Sequence, residues 1–61
     1  MTKQNYLIGW TADLIDGTSR RGTVAVPAED PQKACSIVAG MVRSQFRNDF
    51  EDCSTVALGP A

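Results

Sequence analysis

The sequence contains no histidine. That removes the side chain most often used as a general base near neutral pH, and the usual nitrogen ligand of a zinc site. Cysteine is scarce, with two residues, Cys35 and Cys53. About twelve helical residues at ~1.5 Å each put these some 18 Å apart along the helix expected between them. A disulfide needs Cα atoms within about 7 Å. Both therefore read as reduced thiols, Cys35 as a small packed hydrophobe, which fits a cytoplasmic protein. Two cysteines without histidine make no zinc set, and Asp49, Glu51 and Asp52 lack the spacing of a calcium loop. No metal and no cofactor is expected.

An excess of either charge is missing too. Six Lys and Arg stand against seven Asp and Glu, for a net charge of −1. A dedicated nucleic-acid binder usually carries a basic stripe, and attraction to anionic lipid needs one as well. No apolar run approaches the ~20 residues of a membrane span. The opening Met1-Thr2-Lys3-Gln4-Asn5 lacks the apolar core of a signal peptide, so neither secretion nor a membrane partner is expected. The five glycines are scattered, which excludes a glycine-rich phosphate loop, and no small-molecule site is evident.

What remains is a pattern of hydrophobic periods. The 61 residues form one domain, spanning 1–61. A chain this short buries only about 60% of the surface it exposes when unfolded, so its core is thin. From Tyr6 the period is two: Tyr6, Ile8, Trp10, Ala12 and Leu14 share one face of a strand, and Leu7, Gly9, Thr11, Asp13 and Ile15 the other. Asp16-Gly17 signals a hairpin turn, which continues through Thr18 and Ser19. A second strand follows from Arg20, with Gly22, Val24 and Val26 on the even face, and Pro27 is expected to end it. Asp30 caps a helix with Pro31 at its first position, running to Phe46 or Asn48. Ala34, Val38, Met41, Val42 and Gln45 form its expected inner stripe, flanked by Ile37 and Phe46. Asn48 to Asp52 reads as an acidic turn anchored by Phe50. Ser54 to Leu58 reads as a short strand with Val56 and Leu58 facing inward, followed by a Gly59-Pro60-Ala61 tail. Residues 1 to 4 read as frayed.

The order is β-β-α-β. The hairpin makes the first two strands antiparallel, and the helix returns the chain so that the third strand pairs antiparallel to the first. The first strand is the longest and most apolar, as a central strand should be. The expected fold class is therefore α+β, with a three-stranded antiparallel sheet in the order 2-1-3 and one helix packed on one face. The opposite face is left uncovered. It is expected to carry Leu7, Gly9, Thr11, Ile15, Thr23, Ala25, Thr55 and Ala57, small and weakly polar as a group. Such a face is either a solvated surface or an interface.

Few residues point to chemistry. Trp10, between Ile8 and Ala12 at strand spacing, reads as core rather than as a platform for a ligand or base. Cys35 lies near a helix N-terminus, where a thiol can be activated, but the usual base is missing, so the chain is not expected to be an enzyme. Arg20, Arg21, Arg43 and Arg47 are candidate phosphate contacts, blunted by Asp16, Asp49, Glu51 and Asp52. The segment Asn5-Tyr6-Leu7-Ile8-Gly9-Trp10-Thr11-Ala12-Asp13, with Asp16-Gly17-Thr18-Ser19-Arg20-Arg21-Gly22, resembles small uncharacterised proteins encoded by enterobacterial phages and prophages. That resemblance implies an accessory or host-directed role rather than metabolism, and no site residues. The expected function is a small protein-interaction module. Its partner would be another protein or a second copy of itself (a homodimer), engaged through Leu7, Thr11, Ile15, Thr23 and Ala25. The alternative is weak nucleic-acid binding through the four arginines.

Overall fold

The computed structural model describes residues 3–61. Strand β1 spans Gln4–Leu14, β2 Ser19–Ala28, helix α1 Pro31–Phe46 and β3 Phe50–Pro60. A single 3-10 turn, Arg47–Asp49, joins α1 to β3. The sheet order is β2-β1-β3, and β1 is antiparallel to both neighbours. The helix packs on one face of this sheet, so the expected β-β-α-β architecture is the one observed.

The period of two in β1 is realised as read. Tyr6, Ile8, Ala12 and Leu14 are buried beneath the helix, and Trp10 is half-buried. The hairpin closes through Leu14 N–H to the Thr18 carbonyl (2.9 Å) and Gly17 N–H to the Leu14 carbonyl (3.0 Å). Gly17 takes φ +89°, a conformation that costs a side-chain-bearing residue about 1 kcal/mol or more. Asp16 Oδ1 locks the loop by accepting from the Thr18 amide (2.9 Å) and hydroxyl (2.6 Å). At the start of α1, Asp30 Oδ1 accepts from the Lys33 amide (2.8 Å), and Pro31 needs no such partner.

The core is small in volume as well as in number. Ile8 and Val38 are its largest fully buried side chains, meeting alanines at 12, 28 and 34. Alanine at those positions lets helix and sheet approach closely. Trp10 sits to the side of this centre, in tilted contact with Phe46 (ring centroids 6.0 Å apart).

Several boundaries and facings differ from the sequence reading. Gln4 is paired with Ala28, whereas Met1 and Thr2 lie outside the described residues. Pro27 does not end β2: it pairs with Asn5, and the ladder continues to a buried Ala28. Proline is tolerated there because β2 is an edge strand, with nothing on its outer side to receive the missing donor. The third strand is eleven residues long rather than five, and absorbs Phe50 to Asp52 of the expected acidic turn and Gly59-Pro60 of the expected tail. Ala61 even donates its amide to the Asn5 carbonyl (2.8 Å).

The facing of β3 is opposite to the expected one. Ala57 lies opposite Ile8, Thr55 opposite Trp10 and Cys53 opposite Ala12, so these residues face the helix. Val56 pairs with Gly9 on the uncovered side. A bulge leaves both Leu58 and Gly59 facing Leu7, and a second one skips Glu51 between Asp52 and Phe50. On α1, Ala34, Val38 and Val42 are buried as expected, but Met41 (47% exposed) and Ile37 (43%) point outward and Gln45 is exposed. The stripe actually used is 34-38-42-46, flanked on one side by half-buried Cys35 and Ala39.

Candidate functional site: the uncovered sheet face

The face opposite α1 is built in cross-strand rows. Leu7 stands beside Ala25, Gly9 between Thr23 and Val56, Thr11 between Arg21 and Ser54, and Asp13 between Ser19 and Asp52. Successive strand residues alternate faces, which puts each row on the side away from the helix. Val56 (56% exposed) and Leu58 (54%) stand highest on it. They lean over the central strand: a Cβ on Gly9 would lie 3.4 Å from both Val56 Cγ1 and Leu58 Cδ1. The relief is therefore one-sided. The β3 side is a raised aliphatic ridge, and the β1–β2 side is low around Gly9, Thr23 and Ala25, with Leu7 toward one end and Arg21 toward the other. Between them an open depression of about 470 Å³ has Gly9 at its floor, bounded by Thr11, Arg21, Thr23, Ser54 and Val56.

Polarity changes along the strands. The Leu7 end is apolar. At the hairpin end, Asp13 and Asp52 are direct cross-strand partners. Like charges so placed repel. Each carboxylate is held locally instead: Asp13 Oδ1 accepts from the Ser19 hydroxyl (2.9 Å) and Asp52 Oδ1 from the Cys53 amide (2.8 Å). Among the described residues the one ion pair is Lys33 with Glu29 (3.3 Å), far from this face. In the hairpin loop, the hydroxyl and amide of Thr18 hold the Asp16 carboxyl below its ordinary value of 3.8.

Of the interface residues expected from sequence, Leu7, Thr11, Thr23 and Ala25 fall on the face described. Ile15 follows the end of β1, where its amide donates to the Asp49 carbonyl (3.0 Å), and it belongs to the loop end of the molecule. Thr55 and Ala57 leave the face and Val56 and Leu58 join it, which makes it more apolar than expected. The alternation along β3 alone pointed the wrong way, because the 56/58 pair is bulkier than 55/57. The available signal was Gly9: a missing side chain in the middle of a central strand invites large neighbours across the ladder.

The arginines do not form one surface. Arg20 is opposite Ala12 and so on the helix side, while Arg21 is opposite Thr11 on the uncovered side. The Arg43 guanidinium lies 5.7 Å from the Phe50 ring centroid, and Arg47 caps the helix. All four share the hairpin end with Asp13, Asp16, Asp49, Glu51 and Asp52. Both cysteines are free and half-buried, and no group of three or more potential metal ligands occurs among the described residues. No described helix is long and apolar enough to cross a membrane.

No protein-family model, curated protein or solved structure matches this chain.

Proposed function

We propose that this protein is a small non-enzymatic interaction module that binds a protein surface through the face opposite its helix. One observation carries the reading: Val56 and Leu58 are more than half exposed beside Leu7 on a face that none of the described elements covers. Exposed apolar surface collected in one place favours association, whereas the same residues scattered singly would need no explanation. The resemblance of the β1–hairpin segment to phage and prophage proteins supports an accessory role in the cytoplasm of a host. Nucleic-acid binding has weaker support, because Arg20 and Arg21 point to opposite faces among acidic neighbours.

Affinity capture by the wild-type chain and by Leu58→Lys, each with and without nuclease, tests this reading. Leu58 is already solvent-exposed, so lysine there should leave the fold intact. The expected result is that wild type retains a protein, itself or another, in both nuclease arms and that Leu58→Lys loses it. Retention unaffected by Leu58→Lys, or abolished by nuclease, would overturn the reading.

A further inference from the structure

Resting on that reading, we infer that the occupant of the uncovered face is a second copy of this chain, packed sheet on sheet about a two-fold axis close to the strand direction. Such an axis reverses the order of strands across the interface. The β3 of one copy then lies over the β2 of the other, and β1 over β1.

Three features agree with that arrangement. The first is shape. The Val56–Leu58 ridge on β3 meets the low Thr23–Ala25 row of the partner copy, and the partner's ridge meets the same row here. A two-fold axis across the strands would instead set ridge on ridge. The second is charge. Arg21 on β2 comes over the β3 of the other copy at the level of Ser54, one row (~7 Å along the strand) from Asp52. The two-fold makes this pair twice, and gives Asp52 the counter-charge that it lacks in a single chain. The third is area. The molecule measures 41 × 16 × 13 Å, so a face along its long axis projects to roughly 530–650 Å². Full overlap of two copies would remove roughly 1,100–1,300 Å² from water, at the lower edge of the ~1,200–2,000 Å² of stable specific interfaces. A dimer of modest affinity follows.

The test is sedimentation equilibrium over a concentration series, with circular dichroism and Trp10 fluorescence as controls for the fold. Wild type should dimerise. Leu58→Lys should weaken dimerisation at least ~10-fold, and the milder Leu58→Ser should weaken it less. Arg21→Asp and Asp52→Arg should each weaken it, and the double variant should recover most of the loss, because it exchanges the charges without removing the pair. A wild-type chain that stays monomeric while its face still captures another protein would overturn this inference and leave the proposed function standing. A dimer indifferent to Leu58→Lys would put the dimer contact elsewhere and overturn this inference; the proposed function falls with it only if Leu58→Lys also leaves capture of another protein unchanged. A dimer sensitive to Leu58→Lys but not recovered by the charge exchange would overturn the strand-parallel axis.

Discussion

Trp10 and Gly22 are cross-strand partners on the helix side, and the indole lies where a side chain at residue 22 would go. A Cβ on Gly22 would sit 3.0 Å from Trp10 Cζ2 and 3.4 Å from Nε1. Contacts that close force the ring aside, and the ring is itself braced by Phe46. Gly22→Ala should therefore cost about 1 kcal/mol and move the indole toward solvent. Urea titration followed by intrinsic fluorescence checks both, since Trp10 is the sole tryptophan; an unshifted native emission maximum would mean that the ring has room to yield. At the hairpin, Asp16 makes a different residue-scale prediction. Its carboxylate accepts two bonds from Thr18 in the folded loop, which lowers its pKa relative to the unfolded chain. A group depressed on folding contributes its stabilisation above its ordinary value of 3.8 and loses it as pH falls through the lower folded value. Asp16→Asn should thus be less stable than wild type near neutrality, with the gap in melting temperature closing in acid. A gap constant from pH 6 to about pH 2 would show that the carboxylate charge contributes nothing.

Among the elements, the hairpin and helix were legible in the sequence because each carries its own signals. Every even position from Tyr6 to Leu14 is apolar, Asp16-Gly17 marks the turn, and Asp30-Pro31 marks the helix start. All of these act within a few residues of themselves. The third strand was not legible to the same degree. Its facing is decided by pairing with β1 and by two bulges, which are contacts between distant parts of the chain. Met41 was misplaced for a related reason: helical spacing allows either 34-38-42 or 34-41-45 as the inner row, and only the width of the sheet beneath selects one. Four of the face residues, Leu7, Thr11, Thr23 and Ala25, could be read in advance, while the ridge that gives the face its character could not. The end of the helix carries an element-scale prediction. Arg47 closes α1 at φ +40° and ψ −108°, a backbone conformation that suits glycine and strains any other residue. Its amide still donates to the Arg43 carbonyl, so the cap geometry is used despite the strain. Arg47→Gly should raise stability by up to about 1 kcal/mol without loss of helix content. Thermal melts followed at the helix band check this, and a lower melting temperature would mean that the arginine side chain contributes more than its backbone costs.

At the scale of the molecule, the strands outrun the helix. Sixteen helical residues extend about 24 Å and eleven strand residues about 37 Å, so α1 covers only part of the face on which it packs. The radius of gyration, 11.9 Å, accordingly exceeds the ~10.5 Å of an average globule of this length. A long sheet, covered in part on one side and bare on the other, has little core per residue to stabilise it. Any stability beyond that must come from what covers the bare face. If the cover is a second copy, folding and association are linked. Each tenfold rise in concentration above the dissociation constant then adds about 0.7 kcal/mol per chain, half of the tenfold increment shared between two chains. In a domain of this size that corresponds to a rise of about 3–6 °C in melting temperature per decade. The increment should appear for wild type, set in only at concentrations at least ~10-fold higher for Leu58→Lys, and be largely retained in the double variant Arg21→Asp/Asp52→Arg. Calorimetric scans over two decades of concentration measure it. A melting temperature independent of concentration throughout would mean that the chain is stabilised by its own helix and sheet alone, and that the ridge on β3 is reserved for a different protein.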